Sequence, residues 1–219
     1  MNPVITAYDW IFPEGRGYVR DLRVRWALEE VRRAYDVRFI RWDERKDPAN
    51  RARQPFGQVP TFEEEGLILF ESGAIVLHIA QGSPGLLPVD PHARARAIAW
   101  MFAALNTVEP VFVERMIATA VEGDAPWTSA RLPGVEARAR GRLKDLADRL
   151  GDSEWLDGPF SAADLLMVAV LRDDLQLLEG FRTLAAYVAR GEARPAFGRA
   201  MAAHLAGFTA SAPADWDAR

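Results

Sequence analysis

The sequence predicts an α/β domain followed by an all-helical bundle. Up to residue 81, short runs of β-branched and apolar residues alternate with segments of helical periodicity. After residue 91, every periodic segment is helical, and the stretch before it is rich in glycine and proline, a composition typical of linkers. We therefore predict domains at residues 1–81 and 91–219, joined by a linker at 82–90.

The first domain is predicted to run in the order strand, helix, strand, and then strand, strand, helix. Val4–Tyr8 is rich in residues that favour strands, and Asp36–Trp42 alternates apolar with charged side chains. Between them, apolar residues recur at helical spacing from Val24 to Tyr35. The predicted strands are Val4–Tyr8, Asp36–Trp42, Val59–Phe62 and Leu67–Phe70, and the predicted helices are Gly17–Ala34 and Ser72–Ala80.

The second domain is predicted to contain only helices. The longest, Ala93–Ile117, contains Pro110, which removes a backbone donor and is expected to kink or split it. The remaining predicted helices are Val135–Leu150, Ser161–Arg172, Phe181–Arg190 and Pro195–Leu205.

Composition narrows the classes of function. The 27 Lys and Arg residues against 31 Asp and Glu residues give a net charge of −4, which argues against nucleic acid as a partner. The absence of cysteine excludes disulfides, thiolate metal sites and a catalytic protein thiol, and the three histidines have no metal-ligand spacing. No signal-like segment is visible, and the longest apolar run, Ala97–Leu105, is shorter than the ~20 residues that span a bilayer. We expect a cytoplasmic protein without a membrane or metal partner.

Two short segments carry most of the functional information: Gln54-Pro55-Phe56-Gly57-Gln58-Val59-Pro60-Thr61 and Leu69-Phe70-Glu71-Ser72-Gly73-Ala74-Ile75. A cis Val59–Pro60 bond would turn the backbone of Val59 outward, where an extended peptide could pair with it. A simple turn proline is the alternative. Ser72, at a strand-to-helix switch, is a good N-cap, and the amides after it suit a carboxylate. Glu71 would hold an ammonium, unless Ser72 only caps and Glu71 is solvated.

Together these segments resemble the glutathione S-transferase family, in its cytosolic, bacterial-type form. The resemblance implies a thioredoxin-like first domain, with glutathione as co-substrate. It further implies that Gln58, Val59 and Pro60 face the cysteinyl part of glutathione, and that Glu71 and Ser72 bind its γ-glutamyl ammonium and carboxylate. The family often has Asn-Pro ahead of this motif, where this chain has Gln54-Pro55.

A second family mark lies in the helical domain. Ser161 and Asp164 are spaced as a capping box, in which Ser161 caps the helix and Asp164 reaches back to the Ser161 amide. Phe160 is placed to pack on Leu165 as a hydrophobic staple. The role of this box is structural.

The group that activates the thiol is less clearly marked. Members of the family use Tyr, Ser or Cys between the first strand and the first helix, and this segment contains neither Ser nor Cys. Tyr8 ends the strand and Tyr18 lies at the start of the predicted helix, so each is a candidate hydroxyl donor, while Arg16 could stabilise a thiolate by its charge. For both tyrosines, ordinary packing is the alternative.

The resemblance also implies an apolar pocket for an electrophile. Trp10 and Phe12 lie in the first loop, and Phe102 and Asn106 lie on the long helix. For the helix residues, ordinary core packing is the alternative. We therefore expect a homodimeric glutathione transferase. The alternatives are a glutathione-dependent isomerase or peroxidase of the same fold, and a binding module without turnover.

Overall fold

The computed structural model describes residues 2–213. The chain forms two compact units, of which the first holds the residues up to Leu86 together with those from Arg194 onward, and the second holds Leu87–Ala193. In chain order, the helices are α1 (Asp21–Glu30), α2 (Pro48–Arg51), α3 (Ser72–Gly82), α4 (Pro91–Ala103), α5 (Glu109–Met116), α6 (Thr128–Leu150), α7 (Ala162–Leu171), α8 (Arg182–Glu192) and α9 (Pro195–Leu205).

A four-stranded mixed sheet forms the centre of the first unit. Its strands are β1 (Val4–Tyr8), β2 (Asp36–Ile40), β3 (Thr61–Glu64) and β4 (Leu67–Phe70), and their order across the sheet is β2-β1-β3-β4. β1 runs parallel to β2, and β3 is antiparallel to both β1 and β4. The α/β first unit and the helical second unit confirm the predicted fold class.

Helix α1 is buried along most of its length, which its apolar spacing predicts. It begins at Asp21 rather than at Gly17, because Gly17 adopts a φ of +90° and the chain makes turns until Arg20. It ends at Glu30, where Arg32 takes a left-handed φ of +53° and the amide of Arg33 bonds the carbonyl of Leu28 at 2.9 Å. This hydrogen-bond pattern is that of a Schellman turn, which stops a helix.

Helix α9 belongs to the first unit, whereas the sequence-based boundaries place it in the second domain. The ring of Trp26 in α1, which is fully buried, packs edge-on against Phe197 of α9 with centroids 5.0 Å apart. Arg194 also binds Glu30 at 2.6 Å and Arg199 binds Glu29 at 2.7 Å. The apolar face of α9 is thus paired with a helix that lies far away in sequence, which a local pattern does not reveal.

The second unit begins with a helical stretch that runs without interruption from Pro91 to Val121. Pro110 does not split it, because residues 104–108 form a π-helical turn immediately before α5 and the proline falls within the first turn of α5. A π turn shifts the hydrogen-bond register, and so accommodates a residue that lacks a donor. A second π turn follows at residues 117–121.

By length and composition alone, Pro91–Val121 is the one helix in residues 2–213 that is apolar enough to cross a membrane. A third of its most apolar stretch is buried inside the protein. Its charged side chains have partners in the same unit, since Arg96 binds Asp157 at 2.9 Å and Arg115 binds both Glu136 and Asp174. We interpret it as a helix of the bundle.

Helix α7 starts with the predicted capping box. The Asp164 carboxylate accepts the Ser161 amide at 2.9 Å, and the Ser161 hydroxyl accepts the Ala163 amide at 3.3 Å. Asp164 also accepts the Leu156 amide and the Tyr187 hydroxyl, each at 2.9 Å. Burial raises the pKa of the Asp164 carboxyl, and the hydrogen bonds that it accepts oppose this rise.

Candidate functional site

The two informative segments and the end of β1 meet at one end of the sheet. Thr61, the first residue of β3, pairs with Phe70, the last residue of β4, so Pro60 and Glu71 are neighbours across the two strands. The Thr61 hydroxyl also shares a hydrogen bond with the hydroxyl of Thr6 in β1. Tyr8, two residues further along β1, therefore lies at the same end.

The loop before β3 is held in shape by hydrogen bonds to the side chain and the backbone of Gln54. The Gln54 side-chain oxygen accepts the Phe56 amide at 2.6 Å, and the Gly57 amide bonds the Gln54 carbonyl at 3.0 Å. Gly57 has a φ of +66°, and a Cβ there would lie 2.9 Å from the backbone oxygen of Arg45. Only glycine fits this position without strain. Gln54 thus supports the motif by these hydrogen bonds, although it departs from the Asn-Pro of the family.

The Val59–Pro60 bond is cis, as predicted. The Val59 side chain is 7% exposed and packs with Tyr8 and Ile40, so it faces the core. Its backbone makes no hydrogen bond within the described part of the chain. The amide and carbonyl of Val59 are therefore available to an extended ligand. The side chain of Gln58 is exposed, and Gln54 donates to it at 3.4 Å.

Glu71 and Ser72 form the start of α3. Glu71 has a φ of +67°, an unusual conformation for a residue with a side chain. Its carbonyl accepts the first hydrogen bond of the helix, from Ile75 at 3.0 Å. Glu71 therefore occupies the N-cap position without a capping bond from its side chain, and Ser72 is the first helical residue rather than the predicted cap.

This helix start is suited to an anion. The first amides of a helix have no partner within it, and the helix dipole places positive potential at this end. The Ser72 side chain is buried at 5% exposure, next to these amides. The Glu71 carboxylate, one residue earlier, adds a negative charge beside the anion site, so this end of the sheet presents groups for both charges of a zwitterion.

Tyr8 is a buried residue at the edge of this site. It is 7% exposed, and its ring lies 5.1 Å from that of Trp42 between centroids. Burial raises the pKa of the Tyr8 hydroxyl to about 12, with Arg45 opposing the rise and Asp21 adding to it. Tyr8 therefore keeps its proton at neutral pH and can act as a hydrogen-bond donor.

Tyr18 and Arg16 lie in the turns that precede α1 and are both exposed to solvent. Tyr18 is 45% exposed and precedes the first residue of α1 by three positions, so it is not in the first helical turn. The guanidinium of Arg16 lies 5.8 Å from the ring centroid of Phe208. The structure therefore packs Tyr8 against the Val59 segment and leaves Tyr18 and Arg16 exposed.

Trp42 and Arg45 are neighbours of this site that the sequence analysis did not single out. The Arg45 guanidinium lies over the Trp42 ring, 4.2 Å from its centroid, and donates to the Trp42 carbonyl. Both act on Tyr8, Trp42 by packing and Arg45 by charge. Two aromatic or basic residues just after a strand are too common a pattern to predict this role.

The proposed pocket residues differ in exposure. In the first unit, Trp10 is 6% exposed and Phe12 is 37% exposed, so Phe12 offers the more accessible apolar surface. In the second unit, Phe102 lies near the end of α4 and is 57% exposed, and Asn106 is exposed in the following π turn. Their spacing of four places Phe102 and Asn106 on one helix face.

A family profile and known proteins resemble this chain in sequence. A family profile described as the glutathione S-transferase N-terminal domain matches residues 8–81. The chain is 32% identical over 159 residues to glutathione S-transferase F14 of Arabidopsis thaliana, a match that covers 65% of this chain and 62% of that protein. It is 30% identical over 155 residues to a probable glutathione S-transferase, GSTF1, of Oryza sativa subsp. japonica, covering 65% of this chain and 70% of that protein. The chain thus spans somewhat less than two thirds of the Arabidopsis relative.

Solved structures share the fold over nearly the whole chain. A glutathione transferase from Burkholderia graminis, crystallised with two glutathione molecules bound per subunit, superposes with a TM-score of 0.79 at 24% identity. The superposition covers 91% of this chain and 87% of that one, so the likeness extends through the helical unit. The profile match falls on the unit that carries the site, and the sequence relatives carry the same family name. This chain belongs to the glutathione S-transferase family.

Proposed function

We propose that this protein is a glutathione transferase that joins the thiolate of glutathione to an apolar electrophile. The observation that carries the proposal is the meeting, at one end of the sheet, of an anion-binding helix start, an unpaired extended backbone at Val59 and the protonated hydroxyl of Tyr8. Glutathione offers a zwitterion, a peptide backbone and a thiol, and these three features match the three parts of the site.

The γ-glutamyl end of glutathione is proposed to bind at Glu71 and Ser72. Its carboxylate would accept hydrogen bonds from the first amides of α3 and from the Ser72 hydroxyl, where the helix dipole favours negative charge. Its ammonium would pair with the Glu71 carboxylate. The cysteinyl amide and carbonyl would pair with the free backbone of Val59, with Gln58 and Pro60 on either side.

The reaction needs a thiolate, because the thiol itself is a poor nucleophile and has a pKa near 8.5. Tyr8 is proposed to donate a hydrogen bond to the thiolate, which stabilises the charged form and lowers the pKa of the thiol. Sulfur then forms a bond to the electrophilic carbon. The thiol proton is released to solvent when the thiolate forms. In a substitution, the electron pair of the breaking bond leaves with the departing group; in an addition to a double bond, which has no departing group, that electron pair takes up a proton from solvent. Trp10 and Phe12 are the proposed apolar contacts of the substrate in the first unit, and Phe102 and Asn106 are proposed from the resemblance.

A glutathione-binding module without turnover is the second candidate. It is favoured by the burial that raises the pKa of Tyr8 to about 12, because a weak acid donates a weaker hydrogen bond, and by the exposure of Tyr18 and Arg16. The two candidates differ in the ionisation of bound glutathione. We would titrate the ultraviolet absorbance of the bound thiolate against pH and then measure conjugation to an aryl halide. Isomerase and peroxidase assays with the same preparation test the alternatives that use the same thiolate.

Tyr8→Phe is expected to raise the pKa of the bound thiol by one unit or more, about 1.4 kcal/mol per unit, because only the donor hydroxyl is removed. The thiolate titration measures this shift directly. Tyr35→Phe is the matched control, since Tyr35 lies beside the start of β2, at the other end of the sheet. A shift with Tyr18→Phe and none with Tyr8→Phe would reassign the donor. No shift with either would leave the role to Arg16 or to backbone amides.

Ser72→Ala is expected to weaken glutathione binding by about 1–3 kcal/mol, because one charge-assisted hydrogen bond to the carboxylate is lost. This corresponds to a rise in Kd of roughly 5- to 150-fold in a calorimetric titration. Ser153→Ala, at an exposed position in the second unit, should leave the Kd unchanged. An unchanged Kd in a folded Ser72→Ala protein would remove Ser72 from the site.

We further propose that the protein is a cytoplasmic homodimer. The first unit exposes a group of large apolar side chains near β4, and the rings of Phe56 and Phe70 pack edge-on with centroids 6.2 Å apart. Phe56 is 67% exposed, and Leu67 and Ile68 of the edge strand are 42% and 45% exposed. Exposed apolar clusters of this kind are typical of subunit interfaces. Light scattering at micromolar concentration should give twice the monomer mass of 24.4 kDa, and a monomer mass would contradict the proposal.

A further inference from the structure

The first unit contains a cavity of about 710 Å³ that has four arginines among its nine lining residues. It lies between the end of α1, the beginning of β2 and α9, all of which belong to the first unit. The side chains that define its charge and walls are Arg25, Arg32, Arg33, Arg199, Glu29 and Tyr35. The volume is within the range that holds a small organic ligand.

This arginine cavity is separate from the site described above. Val4 pairs with Asp36 at the beginning of β1, and Tyr8 pairs with Ile40 at its end. The cavity is formed by residues that precede and open β2, so it lies at the end of the sheet where β1 begins. The Val59, Glu71 and Tyr8 groups all lie at the opposite end. The glutathione proposal therefore does not account for the cavity.

Carboxylates balance only part of its charge. Arg25 binds Asp21 at 2.8 Å, Arg199 binds Glu29 at 2.7 Å, and Arg33 binds Glu64. Arg32 has no ion pair within residues 2–213. Four guanidinium groups thus share three carboxylates. Because the whole chain carries a net charge of −4, the excess positive charge here is a local feature.

The paired arginines retain donors for a ligand. The ion pair of Arg33 uses only Nη2. Arg199 uses Nε for the Glu29 carboxylate at 2.7 Å and Nη2 for the Glu29 carbonyl at 3.1 Å, so its other N–H groups remain. The Arg25 side chain is buried against Asp21 and adds charge to the wall rather than free donors. A guanidinium has five N–H donors in a planar fork that matches the oxygens of phosphate and carboxylate. An anion in the cavity would accept these donors and would relieve the repulsion between like charges.

The backbone fixes Arg32 at the rim. Arg32 occupies the left-handed position of the Schellman turn, where glycine is the usual residue, and its φ is +53°. The backbone of this turn is held by two hydrogen bonds, since the amides of Arg32 and Arg33 bond the carbonyls of Glu29 and Leu28. These bonds also satisfy the last carbonyls of α1, which reduces their repulsion of an anion. Arginine is an unfavourable residue for this left-handed position, and a ligand bound by its side chain would explain why arginine occurs there.

Tyr35 adds an aromatic wall to the charged cavity. Its ring is half-buried, and the Arg25 guanidinium lies 5.8 Å from its centroid. We propose that the arginine cavity binds a compact organic anion with two or more negative charges, held by Arg32, Arg33 and Arg199 and packed against Tyr35. Phosphoryl and carboxylate groups share the required chemistry, and the probes below distinguish them.

The test is calorimetric titration of the whole protein with pyrophosphate, adenosine diphosphate and citrate at one fixed salt concentration. We expect binding of pyrophosphate that Arg32→Gln weakens by roughly tenfold or more, as the loss of a charge-assisted contact implies. Tighter binding of adenosine diphosphate than of pyrophosphate would indicate that the adenine ring packs against Tyr35. Tyr35→Ala should then remove that gain in affinity. Citrate equal to pyrophosphate would identify carboxylates as an equivalent ligand, and weaker citrate binding would select phosphoryl groups.

Two further variants separate a built site from diffuse attraction. Arg182→Gln removes the same charge from an exposed position in α8 of the second unit, and it should leave binding unchanged. Arg32→Gly keeps the left-handed turn and removes only the side chain, so it should lose binding while the protein stays folded. Equal weakening by Arg32→Gln and Arg182→Gln, or no binding of any probe at millimolar concentration, would overturn the proposal. Glutathione affinity should be unaffected by Arg32→Gln, so this test is independent of the proposed transferase function.

Discussion

Asp164→Ala is expected to lower the free energy of unfolding by about 3–5 kcal/mol, the largest effect of any single change considered for the helical unit. The carboxylate is fully buried and accepts the amides of Leu156 and Ser161 and the hydroxyls of Ser161 and Tyr187. Alanine would leave these donors buried without an acceptor, and a buried donor without a partner costs about 1–3 kcal/mol. Urea denaturation followed by circular dichroism measures the loss.

Three companion variants separate the contributions to this cost. Tyr187→Phe removes one donor and is expected to cost about 1 kcal/mol. Asp164→Asn supplies one acceptor oxygen and places an amide donor against the remaining donors, so it should cost nearly as much as alanine. Asp145→Ala, at an exposed i,i+3 pair with Arg142, should change stability by less than about 0.5 kcal/mol. A cost for Asp164→Ala as small as that of Asp145→Ala would contradict this account of α7.

Asp21→Ala should destabilise the first unit by about 3–5 kcal/mol, because it would leave a buried guanidinium without a counter-charge. One Asp21 oxygen accepts Nε of Arg25 at 2.8 Å and lies 3.1 Å from Nδ1 of His204. All three side chains are nearly inaccessible to solvent. Since His204 belongs to α9, the Asp21 carboxylate links the two separate stretches of sequence that form the first unit. Urea denaturation followed by fluorescence measures the change, since Trp26 of α1 is among the seven tryptophans that report it.

The matched variants for Asp21 are Asp36→Ala and Arg25→Met. Asp36 is exposed at the start of β2, and its removal should have little effect. Arg25→Met removes the buried charge together with its need for a partner, so Asp21→Ala combined with Arg25→Met should be less damaging than Asp21→Ala alone. Equal damage from the single and the double variant would show that the uncompensated charge is not the cause.

The features that sequence reasoning predicted correctly are those determined by nearby residues. The capping box at Ser161 and Asp164 depends on residues three positions apart, and the limits of β1 and β4 follow from local composition. The cis bond of Val59–Pro60 was predicted from the short motif that contains it, whereas the strand predicted at Val59–Phe62 begins two residues later, at Thr61. In each case the information lies within a few residues of the feature.

The features that were missed depend on contacts between distant parts of the chain. The start of α1 at Asp21 is associated with turns around Gly17 and with the contact of Asp21 to His204 in α9, neither of which leaves a periodic signal. Ser72 was expected to cap α3, but the unusual conformation of Glu71 moves the cap one residue earlier. The arginine cavity likewise needs Arg199 beside Arg32 and Arg33, a proximity that only the packing of α9 on α1 creates.

The position of α9 also separates the order of synthesis from the order of folding. The ribosome completes the sheet and α1 by Leu86, yet α9, which brings Phe197 to Trp26, is complete only after about 120 further residues have been added. At about 5–20 residues per second, this delay is roughly 6–24 s. The second unit is continuous in sequence, so it can complete its own contacts during that interval. Meanwhile, the apolar face of α1 stays uncovered on the nascent chain, which is the period when a chaperone would be most useful to this protein.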